Sequence, residues 1–242
     1  MHFVKSPACD LHACLCYTFR MIQLVAFLGN YGREYARTRH NAGWLFADSL
    51  PFADKLSWQS KFKGLYTSVD TTLFAEWAQQ YNLFAKKDGS AVPLPKDAPE
   101  KIYFLKPETY MNLSGDSIIE LVNFYKLRPE NVMVVHDELE LPLGTVSLKW
   151  SGGLGGHNGL RSTKAVLSTA DFWRLRFGIG RPDNREIADY VLTPFTPDEQ
   201  ITLSQVFPQA AELLAKVLLS TDPNRLISEW GKKKLAAEGA VL

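Results

Sequence analysis

Two short apolar runs limit the fold of this chain more than any other feature: Ile22 to Leu28 (IQLVAFL) and Val132 to Val135 (VMVV). A strand with almost no polar face cannot lie on a surface, so both belong in a sheet covered on each side. Segments with helical spacing supply the cover. Residues 41–50 carry Trp44, Leu45 and Leu50, with Asn41 placed as an N-cap, and Ser114 opens a helix carrying Ile118, Leu121, Val122 and Tyr125. Further strands are expected over 64–69, 73–77, 102–105 and 174–179, and a helix over 160–167. The C-terminal third reads as helical. Thr196-Pro197-Asp198-Glu199 is a capping box, Pro208 is expected to kink or split the helix that follows, and Asp222-Pro223 starts a last one. With no internal repeat and no linker, residues 21–242 predict one α/β domain: a mixed, mostly parallel, twisted sheet with helices on both faces. Residues 78–100, without periodicity and with Pro93, Pro95 and Pro99, read as a surface insertion. Residues 1–20 read as a disordered extension, which makes Met21 a candidate start.

Composition removes several classes of function. No apolar run approaches the roughly 20 residues that span a bilayer, so no membrane role is expected and the default compartment is the cytoplasm. Cys9, Cys14 and Cys16 all fall in the first twenty residues, at a spacing that gives neither a disulfide framework nor a zinc site. The net charge of +1 hides an uneven distribution. Between Pro142 and Arg185 stand Lys149, Arg161, Lys164, Arg174, Arg176, Arg181 and Arg185 against only Asp171 and Asp183, a local excess of five positive charges. Beside a cleft that excess would attract phosphates; on a solvated face it would meet acids from elsewhere in the fold.

Ligands of open α/β sheets bind beyond the carboxyl ends of the strands. There the chain places Asn30 after the first apolar run, Asn112 past the 102–105 strand, and His136 with Asp137 after Val135. His40 follows the first run closely enough to reach the same edge. Asn41 and Asn112 fit helix caps equally well. No G-x-S-x-G elbow and no H-E-x-x-H pair is present, and the glycines of SGGLGGHNG (151–159) match no nucleotide-binding pattern. Histidine with aspartate and asparagine remains, a set suited to general-base activation of water.

Five blocks in order, LGNYG (28–32), TRHNAG (38–43), LKPETYMNLSG (105–115), VHDELELPLG (135–144) and GGLGGHNGL (152–160), resemble the bacterial-type peptidyl-tRNA hydrolases; RLRFGIGRP (174–182) is a weaker sixth. The resemblance implies a carboxylic ester hydrolase that frees tRNA from peptidyl-tRNA, with no cofactor or metal. It also implies a monomer in the cytoplasm with no obligate protein partner. By the same resemblance His40 is the general base, Asp137 orients its imidazole, and Asn30 distinguishes blocked from free aminoacyl groups. Asn112 and Asn158 would hold the substrate near the scissile bond, Tyr35 and Tyr110 would contact the tRNA end or the peptide, and Met111 would line the peptide channel. His136 and His157 are expected to be structural. Tyr31 departs from the family's proline, Leu154 from histidine and Ser151 from glycine. Two other functions stay open: a non-catalytic RNA-binding protein, similar to plant chloroplast splicing factors of this fold, and an esterase for small acyl esters.

Overall fold

Side chains of the first strand, β1 (Leu24–Phe27), go alternately to two cores: Leu24 and Ala26 to one, Val25 and Phe27 to the other. That is the two-residue period of a pleated strand buried on both faces. The computed structural model describes residues 21–84, 94–96, 98–182 and 186–236. After β1 the chain forms α1 (Ala42–Asp48), β2 (Gln59–Lys61), β3 (Gly64–Asp70), α2 (Thr71–Gln80), β4 (Lys101–Pro107), α3 (Ser114–Tyr125) and β5 (Val132–Glu138). It continues through β6 (Thr145–Trp150), α4 (Asn158–Leu167), β7 (Trp173–Gly178), α5 (Ile187–Val191), α6 (Pro197–Leu218), α7 (Asn224–Trp230) and β8 (Lys233–Lys234).

The strands make one sheet in the order β2-β3-β4-β1-β5-β7-β6-β8. The β4-β1-β5-β7 centre is parallel, as its apolar strands require, and helices cover both faces. Pairings outside that centre differ from the expectation of a mostly parallel sheet, since four of the seven are antiparallel. The shortest connection shows why: Phe62-Lys63 joins β2 to β3 as a hairpin, and a link of that length can only reverse the chain. One core holds Phe46 of α1, Phe74 and Trp77 of α2, and much of α6; the other holds Ile118, Leu121 and Val122 of α3 with Leu160 and Leu167 of α4.

Three expectations need correction. Residues 73–77 are helical, because Phe74, Trp77 and Ala78 are the buried set and their spacing is that of a helix face. Ala78 and Leu83 therefore belong to the core and not to an insertion, while 85–93 lie outside the described residues, as do 1–20. Helix α6 is not split at Pro208, which is exposed, so the carbonyl it leaves unpaired lies toward water. Among the described residues no helix is long and apolar enough to cross a membrane.

Candidate active site

Strand β1 lies between β4 and β5, its two parallel neighbours, so the chain connections diverge there and leave a crevice past the strand ends. Strand β5 brings Asp137 to that edge as its next-to-last residue, and a 3₁₀ turn, Arg39–Asn41, brings His40. Nδ1 of His40 lies 2.9 and 3.1 Å from the two carboxylate oxygens of Asp137. On the other side, Nε2 of His157 lies 3.0 Å from Oδ1 of the same carboxylate. Nδ1 of His157 accepts the backbone N–H groups of Gly159 and Leu160 at 3.1 and 3.3 Å, as the N-cap of α4. That nitrogen has no proton, so Nε2 carries one and donates it to Asp137.

The electrostatics follow from this geometry. Burial works against ionisation of Asp137, yet His40 and His157 outweigh it and hold the carboxyl well below the usual carboxylate range. Burial also works against a charged His40, but the charge and hydrogen bond of Asp137 prevail and raise it above its ordinary 6.5. An ionised Asp137 fixes the proton on Nδ1 of His40 and leaves the lone pair on Nε2. His40 borders a cleft of about 320 Å³ whose walls include Leu139, Gly156, Asn158, Ile187 and Val191. His136, fully buried and packed edge-on against the His157 ring, donates from Nδ1 to the Asp137 carbonyl at 2.6 Å; burial, then His157, push its pKa well below 6.5. His136 thus reaches only the backbone of Asp137, whereas His157 bonds the Asp137 carboxylate. His40, Asp137 and His157 are also the described residues whose ligand atoms cluster tightly enough, within 4.8 Å, to hold a metal ion. A cation there would have to displace the proton from both imidazole nitrogens that face the carboxylate.

Asn30 is buried just past the end of β1, and three hydrogen bonds hold it. Oδ1 and Nδ2 of Asn41 take its backbone N–H at 2.8 Å and its carbonyl at 3.0 Å. The N–H of Met111 donates to its Oδ1 at 2.7 Å, so Nδ2 is the end the side chain can present to a ligand. The next residue ties the same two loops together, Tyr31 N–H donating to the Thr109 carbonyl at 3.2 Å. Asn41 sits at the N-cap position of α1, as expected, but makes no side-chain cap bond. Its clamp on Asn30 was not foreseen, and the asparagine directly after His40 in T-R-H-N-A-G is the sequence signal for it. Arg39, also missed, donates to the Pro194 carbonyl at 2.9 Å and pairs with Glu199 at 2.5 Å, tying the His40 turn to the N-terminus of α6.

The remaining candidates are spread along the edge. Asn158 is exposed on the cleft wall; Asn112 is exposed and is not the cap of α3, a position held by Leu113. Tyr110 is 60% exposed, Met111 is buried against Leu28 and Leu160 in the α3–α4 core, and Tyr35 is half-buried in the turn before Thr38. Asn30, Tyr35, Tyr110, Met111 and Asn112 are thus not among the residues that line the His40 cleft. The glycine-rich loop reaches it through Gly155 and Gly156, whose φ values of +58° and +77° are left-handed. Arg174 supports that loop from beneath, donating to the Gly153 and Gly152 carbonyls at 2.6 and 3.0 Å. All five sequence blocks meet at this edge.

Residues 24–238 match the family model for peptidyl-tRNA hydrolase. The chain belongs to the peptidyl-tRNA hydrolase family. A peptidyl-tRNA hydrolase of Treponema pallidum is 42% identical over 218 residues, covering 88% of this chain and 96% of that protein. One from Desulfitobacterium hafniense is 45% identical over 186 residues, covering 76% of this chain and 86% of its own. The crystal structure of peptidyl-tRNA hydrolase from Acinetobacter baumannii superposes with a TM-score of 0.69 at 31% identity, over 89% of this chain and 97% of that one. The family resemblance read from the five blocks therefore extends over almost the whole described domain.

Proposed function

We propose that this chain hydrolyses the ester between a peptide, or an N-blocked aminoacyl group, and the 3′ end of tRNA, with His40 as general base. One observation carries the reading: Asp137 holds Nδ1 of His40 at 2.9 Å, which leaves the basic nitrogen Nε2 for the cleft. Nε2 takes a proton from water as the water oxygen attacks the ester carbonyl carbon. The tetrahedral intermediate then expels the ribose oxygen, which takes the proton back from the imidazolium, leaving a free tRNA hydroxyl and a carboxylic acid. Asp137 stays ionised throughout and stabilises the imidazolium. General-base catalysis of this kind contributes about 10²–10⁴-fold, and positioning of the ester supplies more.

Asn30 is the proposed selector. Its Nδ2 donates to the carbonyl that blocks the substrate's amino group, which a free amino acid lacks; a buried donor left unpaired costs about 1–3 kcal/mol. Asn112 and Asn158 hold the substrate near the scissile bond, Tyr35 and Tyr110 contact the tRNA end or peptide, and Met111 lines the peptide path. The protein acts as a monomer in the cytoplasm. The test is incubation with N-acetyl-aminoacyl-tRNA and, separately, with a simple acyl ester. Release of the acetylated amino acid from tRNA, lost in His40→Ala while tRNA binding persists, supports the proposal. No release above buffer from folded protein would favour an RNA-binding role, and equal turnover of the small ester a general esterase.

A further inference from the structure

Gly159, the second residue of α4, is buried where no side chain fits: a Cβ there would come within 2.6 Å of both Leu28 Cδ1 and Met111 Sδ. The residue before it, Asn158, is exposed on the wall of the His40 cleft. Packing therefore fixes glycine directly after an exposed asparagine, and this is the chain's only Asn-Gly pair. Such a pair is chemically labile. Glycine has no Cβ to shield its backbone nitrogen and turns freely, so that nitrogen can reach the asparagine side chain. On losing its proton, the Gly159 nitrogen adds to Cγ of Asn158, expels Nδ2 as ammonia and closes a succinimide ring. Water then opens the ring at either carbonyl, leaving aspartate or isoaspartate at position 158.

The fold restrains the atoms this reaction needs. The Gly159 N–H donates to Nδ1 of His157 at 3.1 Å, and the Leu160 N–H shares that acceptor at 3.3 Å. The Gly159 carbonyl accepts the Thr163 hydroxyl at 2.8 Å. His157 is itself anchored, with Nε2 on Asp137 at 3.0 Å. Ring closure has to turn the 158–159 backbone out of the helix, and that breaks both bonds to His157. We propose that Asn158 is a latent deamidation site, held closed by the His157 cap. Conversion waits on opening of the first turn of α4, and it puts a carboxylate on the cleft wall in place of an amide. The guard works whichever ester the cleft takes.

The experiment follows Asn158 by peptide mapping with mass spectrometry, which resolves its asparagine, aspartate and isoaspartate forms, during incubation in mildly alkaline buffer. Parent is compared with His157→Leu, which has no acceptor, His157→Ser, which keeps one, and Ser162→Ala. The last loosens the α3–α4 contact, where Gly115 N–H donates to the Ser162 hydroxyl at 2.9 Å, and leaves the cap intact. Folding is checked by thermal unfolding. His157→Leu should convert about five-fold faster than the parent, equal to about 1 kcal/mol, the ordinary worth of an N-cap. His157→Ser and Ser162→Ala should stay near the parent rate. A His157→Leu protein that converts at the parent rate overturns the proposal, as does a Ser162→Ala protein accelerated as much as His157→Leu. If His157→Leu does not fold, the parent decides, through its rates folded and in urea and the hydrogen exchange of its Gly159 N–H. Folding that slows conversion by the same factor as that exchange supports the cap; conversion as fast folded as unfolded overturns it.

Discussion

The Asp137 carboxylate lies between two imidazoles whose protons have different jobs. On His157 the proton is fixed by a helix N-terminus, because Gly159 and Leu160 occupy the other ring nitrogen. On His40 the same carboxylate frees Nε2 for chemistry and holds the pKa above 6.5. A base works in its neutral form, so kcat/KM should climb with pH along an acidic limb whose midpoint lies above 6.5. Asp137→Asn removes the two influences that raise His40 and leaves the burial that lowers it. The limb should then move below 6.5 while kcat falls about 10²–10⁴-fold, and a pH–rate profile of the variant with its limb unmoved would refute this account. His157→Phe takes one donor from the carboxylate and two acceptor contacts from α4; its kcat should drop about ten-fold, less than for Asp137→Asn, measured at saturating substrate. Residue type and strand position placed His40 and Asp137 at one edge, and the family resemblance paired them. The part of His157 was not, because its contact with Asp137 depends on where α4 begins in space.

Helix α1 lies across the β1–β5 seam with no space to spare. A Cβ on Gly43 would come within 2.6 Å of the Leu28 carbonyl and 2.7 Å of the Val135 carbonyl, both backbone atoms of the sheet. Gly43→Ala should therefore destabilise the fold by about 1–3 kcal/mol, read as a thermal midpoint lowered by about 2–4 °C per kcal/mol. An unchanged midpoint would mean the helix can lift, and the His40 turn at its N-terminus with it. The other support of that turn is distant in sequence. Thr196 and Glu199 form the expected capping box of α6, and Oε2 of Glu199 also receives Arg39 at 2.5 Å. The box was readable because caps are local; the arginine was not, because its partner lies 160 residues away. Strand β6 shows a fainter signal missed, Val146, Leu148 and Trp150 alternating with smaller or polar residues. Segment 73–77 shows the opposite, a short apolar run whose period five residues could not decide.

Over the whole molecule, the basic stretch from 142 to 185 separates into different roles. Arg174 is buried and spent on the carbonyls of the glycine-rich loop; burial, then Arg176, lower it to about 10. Arg176 pairs with Glu138 at 3.1 Å. Lys149 is half-buried in a second pocket beside the His40 cleft, lined also by Arg176, Lys232, Glu138 and Glu140; burial, followed by Arg176 and Arg174, lowers its pKa. If tRNA phosphate meets this face, Lys149→Gln should reduce the slope of log affinity against log salt by about one, while Arg174→Met should leave the slope unchanged and lower the unfolding temperature. Filter binding over a salt series separates the two, and a slope altered by Arg174→Met but not by Lys149→Gln would reverse the assignment. The sequence by itself determined the buried parallel centre, the family, and the residue types at the strand ends, because pleat period, capping and motif spacing are local. Only the tertiary structure decided which nitrogen of each histidine holds a proton, which end of Asn30 faces outward and which arginines remain for a ligand. Each of those depends on a partner delivered by a different element, and hydrogen-bond direction is settled only when both groups are in place.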